Sequence, residues 1–264
     1  MAENSKIEWT DHTANLWHGC TKVHLGCDNC YAEATAKRWG NDVWGNDKPR
    51  KEIKSFWKDL FKYQKKAAQA NEYHKVFIGS MMDIFEKPMP LINSKGEKLS
   101  YSTHSLRSKL FSEIDLDMYP NLVFLFLTKR PSNINKYIPE HWKTSPPQNV
   151  MFGTSPVDQL TFEKLTRQLL KVSGYKFLSI EPQLTHINIR SMFLFRSTIH
   201  WIIQGGESGQ RKRPFNLLWA KDMVNACNSL NIPYFFKQID KVQEIPTDLK
   251  IRQFPRNLFH TLKR

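Results

Sequence analysis

The stretch "NLVFLFLTKRP", from Asn121 to Pro131, is an unbroken apolar run that ends in three polar residues and a proline. A continuous apolar run of this length is typical of a strand that is buried on both faces, as in a parallel sheet covered by helices. A strand with one face in water would instead alternate apolar and polar residues. The stretch therefore predicts an α/β protein with a parallel sheet.

Further runs of this kind recur along the chain, separated by longer and more polar segments with a helical pattern. They are "KVFIGSMMD" (75–83), "NVMFGTSP" (149–156), "YKFLSIEPQ" (175–183), "IHWIIQGGESG" (199–209) and "IPYFFKQ" (232–238). Between two of the strands, "SFWKDLFKYQKKAAQA" (55–70) has an apolar face and several lysines on its other faces, which is typical of a covering helix. This alternation predicts a mainly parallel sheet, open or closed into a barrel, with outer helices.

The composition is that of a packed globular protein. The chain has 264 residues, of which 40% are hydrophobic and 17 are Phe, and we expect a single domain over residues 1–264. No apolar run approaches the ~18 residues that span a bilayer. The opening "MAENSKIEWT" also lacks the apolar centre of a secretory signal. We therefore expect a soluble cytoplasmic protein without a membrane partner.

The chain is strongly basic, with a formal net charge of +14. Such an excess of Lys and Arg favours a polyanionic partner such as nucleic acid, because contacts with phosphates release counterions. A solvated basic surface with no anionic partner explains the same charge equally well.

Three of the four cysteines fall in "WHGCTKVHLGCDNCYAE" (17–33), with the spacing C-x6-C-x2-C. Clustered thiols in a reducing compartment favour metal binding over disulfides. Three thiolates can hold three irons of a [4Fe-4S] cluster and leave the fourth iron open to another ligand. The loop 18–31 therefore predicts a cluster site at Cys20, Cys27 and Cys30.

Two other interpretations of the cysteines stay open. A zinc ion could take the three thiolates and either His18 or His24, since zinc accepts four ligands of these types. The chain has no second Cys-x2-Cys pair, which a zinc ribbon usually supplies, so the spacing favours the cluster. The third interpretation is a pair of buried structural thiols.

Polar residues follow nearly every predicted strand. The carboxyl ends of parallel strands form the rim at which ligands bind, so these residues are candidates for a site. A simple turn of the chain toward solvent explains some of them as well. Residues 205–214, "GGESGQRKRP", are predicted to be a substrate-facing loop, and a plain strand-to-helix connection is the alternative. The predicted substrate-binding residues are Lys129, Arg130, Glu207, Arg211, Lys237 and Gln238; for Lys129 and Arg130, ordinary surface charge is the alternative.

Several motifs occur in an order that resembles a known family. They are "IEWTDHTANLWHGCTKVHLGCDNCYAE", "FIGSMMDIFE", "FLTKRP", "FGTSP", "SIEP", "GGESG" and "PYFFKQ". Along nearly the whole chain they resemble a phage-associated family of unknown function with a three-cysteine motif. That family is similar to an outlying branch of the radical S-adenosylmethionine (SAM) superfamily, although the cysteine spacing differs from the usual C-x3-C-x2-C.

The resemblance implies an incomplete (β/α)6 barrel with outer helices, and a [4Fe-4S] cluster whose open iron is chelated by SAM. An external electron donor would reduce the cluster, SAM would be cleaved, and the resulting 5′-deoxyadenosyl radical would abstract hydrogen from a substrate. The SAM contacts that we infer at the rim are Ser80, Asp83, Thr154, Ser155 and Glu181. For Asp83 a helix N-cap is the alternative, for Thr154 and Ser155 a turn, and for Glu181 a salt bridge.

The function predicted from the sequence is thus that of a radical SAM enzyme whose substrate is unidentified. The net charge and the phage association favour nucleic acid or a nucleotide as its substrate. A non-catalytic protein that contains zinc or a cluster and binds nucleic acid is the alternative. A cluster-bearing partner protein that has lost SAM binding is a third interpretation.

Overall fold

A computed structural model of the chain describes residues 3–191, 198–209 and 211–255. In chain order its strands and α-helices are β1 (His12–Ala14), β2 (Trp17–His18), α1 (Tyr31–Arg38), β3 (Arg50–Glu52), α2 (Phe56–Ala70), β4 (His74–Ile78), β5 (Pro90–Ile92), β6 (Lys98–Ser102), α3 (Thr103–Asp115), β7 (Leu122–Thr128), α4 (Ile134–Tyr137), β8 (Val150–Thr154), α5 (Gln159–Leu169), β9 (Tyr175–Ile180), β10 (Trp201–Gly205), α6 (Leu217–Leu230) and β11 (Tyr234–Gln238). None of the helices in these ranges is long and apolar enough to cross a membrane.

The main sheet is a curled half-barrel of seven parallel strands flanked by helices, in the order β1-β4-β7-β8-β9-β10-β11. The predicted incomplete barrel of mainly parallel strands with outer helices is confirmed, and each of the six apolar runs forms one of its strands. The seventh strand, β1, was not predicted. It has only three residues, "HTA", and it is defined by its pairing with β4 rather than by an apolar run.

A second sheet, β2-β3-β5-β6, was also not predicted. Its strands are too short to carry a recognisable pattern, and β3 is the tripeptide "RKE". The sheet matters for the site because β2 ends at His18, two residues before Cys20. Gly19, between them, has φ +119, and a Cβ there would lie 2.3 Å from the Val43 carbonyl oxygen. Only glycine fits this backbone, which brings the chain out of β2 and into the cysteine loop.

The half-barrel has two apolar faces. Alternate residues of the strands, among them Phe77, Leu125 and Phe177, form an inner cluster around Trp9. The residues between them pack in a larger cluster against buried side chains of the helices. Both faces are therefore buried away from water, which explains why the strands are continuous apolar runs in the sequence.

Candidate functional site

A cavity of about 240 Å³ lies at the carboxyl edge of the main sheet. The cysteine loop lines it together with residues that follow β4, β7, β8, β9, β10 and β11. Most of the predicted site residues meet here: Cys20, Cys27, Cys30, Ser80, Asp83, Lys129, Ser155, Glu181, Glu207 and Lys237. The structure does not bring Arg130, Thr154, Arg211 or Gln238 to the cavity lining.

The alternation along each strand decides which rim residues reach the cavity. The inner cluster takes every second residue of a strand, and the same alternation continues past the strand ends into the cavity. In β9 and just after it, the residues on this side are Phe177, Ser179 and Glu181. Thr154 and Gln238 are one residue out of phase with this alternation. Thr154 Oγ1 instead donates to the Thr128 carbonyl oxygen at 2.8 Å, and Gln238 Nε2 donates to the Gly206 carbonyl oxygen at 3.0 Å. Both of these side chains are buried in the wall behind the cavity.

Arg130 and Asp83 hold the first end of the cysteine loop. Arg130 Nη2 donates to the Thr21 carbonyl oxygen at 2.5 Å, and its Nη1 lies 3.8 Å from Cys20 Sγ. The same Nη1 donates to Asp83 Oδ2 at 2.8 Å. Asp83 also accepts from the Thr128 hydroxyl at 2.7 Å, so both of its oxygens are engaged within the protein. Its role toward SAM stays a prediction, and its observed role is to orient Arg130.

Glu207 and Arg213 hold the other end of the loop. Glu207 Oε1 accepts from Arg213 Nη2 at 2.6 Å, and its Oε2 accepts from Arg213 Nε at 2.9 Å. Asn29, between Cys27 and Cys30, donates to Glu207 Oε2 at 3.0 Å and to the Arg211 carbonyl oxygen at 2.8 Å. Burial opposes ionisation of Glu207, but the hydrogen bonds from Arg213 and Asn29 outweigh it and lower the pKa of the carboxyl. The loop 205–214 thus supports the cysteine loop, and its predicted role in facing a substrate stays a prediction.

The two histidines proposed as zinc ligands do not line the cavity. His18 stacks on Trp39 with their ring centroids 5.7 Å apart. His24 Nδ1 accepts from the Gly26 backbone N–H at 3.1 Å and so caps the short 3₁₀ helix Leu25–Cys27. Burial and the nearby Lys129 lower the pKa of His24 to about 4. The zinc interpretation stays a prediction, since the buried Nε2 atom of His24 has no hydrogen-bond partner among the described residues.

Glu181 and Lys237 form an ion pair, with Glu181 Oε1 accepting from Lys237 Nζ, and both side chains line the cavity. The alternative in which Glu181 makes a salt bridge is thus confirmed. Ser80 has its hydroxyl bonded to Asn15 Nδ2 at 2.9 Å. Ser155 lines the cavity and forms no side-chain hydrogen bond within the described ranges.

Two charged residues at the site were missed by the sequence analysis. The guanidinium of Arg50 is fully buried, donates to both carboxylate oxygens of Glu86 at 2.6 and 2.9 Å, and donates to Thr21 Oγ1 at 2.9 Å. Glu86 Oε1 also lies 3.8 Å from Arg130 Nη2. Glu86 ends the quoted motif "FIGSMMDIFE", which could have drawn attention to it, whereas Arg50 follows no recognisable pattern.

The thiols themselves fit an iron–sulfur cluster in their chemistry. All four cysteines are free, and the three of the loop line one cavity while Cys227 is buried elsewhere, in α6. Burial, with the charge of Asp83, raises the pKa of Cys20 to about 12 in the absence of metal. In the part of the chain that the structure describes, no group of three or more His, Cys, Asp or Glu side chains is arranged so that it could hold a metal ion.

The chain belongs to the family described as "Protein of unknown function (DUF5131)", whose profile matches residues 4–253. This confirms the predicted membership of a family of unknown function. No curated protein and no solved structure matches the chain in the same comparisons.

Proposed function

We propose that this protein is a radical SAM enzyme that holds a [4Fe-4S] cluster through Cys20, Cys27 and Cys30. The observation that carries the proposal is the position of three unpaired thiols from one short loop in a cavity at the carboxyl rim of a parallel half-barrel. Ligands bind at this rim in parallel α/β proteins. When bound, the cluster would supply the electron that cleaves SAM.

The chain's own residues have three tasks in this proposal. Arg130 and Arg213 fix the two ends of the cysteine loop, through Thr21 and Leu25 carbonyl oxygens at 2.5 and 3.2 Å. Apolar side chains of the inner cluster close the bottom of the cavity and exclude water from it. The Glu181–Lys237 pair offers polar contacts to the cofactor.

Metal content and SAM cleavage test the proposal together. Protein reconstituted with iron and sulfide in the absence of oxygen should hold about four irons per chain. After reduction with dithionite it should convert SAM to methionine and 5′-deoxyadenosine, measured by mass spectrometry. Replacing any one of Cys20, Cys27 and Cys30 by Ala should abolish the cluster, while Cys227→Ala serves as the matched control and should retain it.

Two results would contradict the proposal in different ways. Stoichiometric zinc without iron uptake would replace it with the zinc protein. An intact cluster without SAM binding or cleavage would leave a cluster-bearing partner protein.

For the substrate we propose nucleic acid or a nucleotide, which the net charge of +14 supports. The basic face of α2, with Lys54, Lys58 and Lys65 exposed, lies on the outer helical layer. It is therefore separate from the cavity and would serve to attract a polyanion rather than to position the reacting atom.

A further inference from the structure

The cavity has more positively charged side chains than its acidic residues can pair with. Each of its three carboxylates has a cation of its own: Asp83 pairs with Arg130, Glu181 with Lys237, and Glu207 with Arg213. Of its four lysines, Lys237 is already used by Glu181, and Lys22 lies 3.0 Å from Glu33.

The other two, Lys129 and Lys241, form no ion pair with any described residue, although both line the cavity. The residues outside the described ranges contain no Asp or Glu, so no acidic side chain is left to serve them. Burial and the neighbouring Lys237 lower the pKa of Lys241, and the charges of Glu181 and Glu8 oppose this shift only in part.

Two hydroxyls lie on the strands between these lysines. Lys129 follows β7 and Lys241 follows β11, and the strands between them in the sheet are β8, β9 and β10. Ser155 follows β8 and is 1% exposed; Ser179 belongs to β9 and is 2% exposed. Both line the cavity, and neither side chain has a hydrogen-bond partner among the described residues. Buried hydroxyls are normally paired, so these two are available to a ligand.

We propose that Lys129 and Lys241, with the hydroxyls of Ser155 and Ser179, form a binding site for an oxyanion of the substrate, a phosphate or a carboxylate. The two ammonium groups and the two hydroxyls can each donate a hydrogen bond to such oxygens, and the ammonium groups also neutralise their charge. The site would identify the substrate of the proposed enzyme as an anionic molecule, so this inference rests on the proposed function.

Calorimetric titration of the metal-free and of the reconstituted protein with pyrophosphate and with citrate tests the site at low salt. Lys129→Gln and Lys241→Gln should each weaken binding about tenfold, because each removes a charged hydrogen-bond donor. Lys171→Gln, on an exposed lysine outside the cavity, removes the same charge and should change the Kd less than twofold. Tighter binding of pyrophosphate assigns a phosphate group, and tighter binding of citrate assigns a carboxylate.

Three outcomes would overturn the site: no saturable binding of either anion, equal weakening by Lys171→Gln, or displacement of bound pyrophosphate by SAM. The last outcome would assign the lysines to the cofactor. Anion binding is measured on the metal-free protein, independently of iron binding and SAM cleavage. The anion site can therefore be refuted while the proposed function is supported, and the proposed function can be refuted while the anion site is supported.

Discussion

Replacing Glu207 by Gln is the sharpest test of how the cysteine loop is held. The substitution keeps the size of the side chain but removes the charge that Arg213 and Asn29 contact. An amide offers a single acceptor oxygen, so the two-point contact with Arg213 cannot be kept. The end of the loop that carries Cys27 and Cys30 should therefore open more often, whereas Cys20 remains held through Arg130.

The size of the effect follows from the burial of the pair. Glu207 is 5% exposed, and breaking a fully buried pair costs about 3–5 kcal/mol. The side chain of Arg213 is 31% exposed, so water replaces part of the lost interaction. We expect a loss of about 1–2 kcal/mol, and hence an open population that rises about 5- to 30-fold.

Thiol labelling of the metal-free protein measures this population directly. A thiol reagent is added, and mass spectrometry of the digested chain gives the labelling rate of each cysteine separately. In Glu207→Gln the rates at Cys27 and Cys30 should rise about 5- to 30-fold, with little change at Cys20. A chelator should also remove iron faster from the reconstituted variant.

The matched control is Glu140→Gln, which removes an exposed acid that pairs with Lys143 outside the cavity and the cysteine loop. Surface pairs contribute about 0–1 kcal/mol, so the labelling rates should change less than fivefold. Unchanged rates in Glu207→Gln would refute the role of the pair in holding the loop. An equal rise at all three cysteines would indicate general unfolding and would refute it too.

Two further predictions concern pH and nucleic acid. Burial and the neighbouring His74 lower the pKa of His12 to about 4. Below pH ~6.5 the unfolded chain therefore binds a proton at His12 that the folded chain does not. His12 alone should lower the free energy of unfolding by about 1 kcal/mol between pH 7 and pH 5.5, in addition to the contributions of other buried histidines such as His24. Denaturant titrations at both pH values should show a correspondingly smaller fall in His12→Phe, and an identical fall would contradict this. If the outer face of α2 attracts polyanions, the logarithm of the affinity for DNA or RNA should fall linearly with the logarithm of salt concentration, and Lys58→Glu with Lys65→Glu should flatten the slope; a slope unchanged by the reversals would exclude α2.

Six strands of the half-barrel were predictable because a short stretch of sequence shows both the length of a strand and its burial on both faces. A strand buried on both faces must be apolar throughout, and β7 with its run from Leu122 to Leu127 satisfies that requirement within its own residues. β1 could not be found in this way, since three residues become a strand only through pairing with β4. The same holds for the second sheet.

The continuous apolar runs that identify the strands do not show which side chains of a strand face the site. With both faces apolar, nothing in the sequence says whether Thr154 or Ser155 points into the half-barrel. In the structure, the inner cluster around Trp9 shows which alternate residues face inward. Ser155 lines the cavity, whereas Thr154 lies in the wall behind it. A sequence can therefore identify the rim of a parallel sheet more readily than the side chains that face its ligand.

Pairing between distant residues is the second property that the sequence conceals, and it changes what a charged residue at the rim means. Asn29 and Glu207 are 178 residues apart, and Asp83 and Arg130 are 47 apart, yet these contacts use the rim acids to hold the cysteine loop. A carboxylate with internal partners has little capacity left for a ligand, because its lone pairs are already occupied. A cation that lines the same cavity without an ion-pair partner keeps its charge and its donors available to an anionic ligand. The residues that remain after pairing therefore point to the ligand more strongly than the residues that stand out in the motifs, and Lys241, which no motif contains, is one of them.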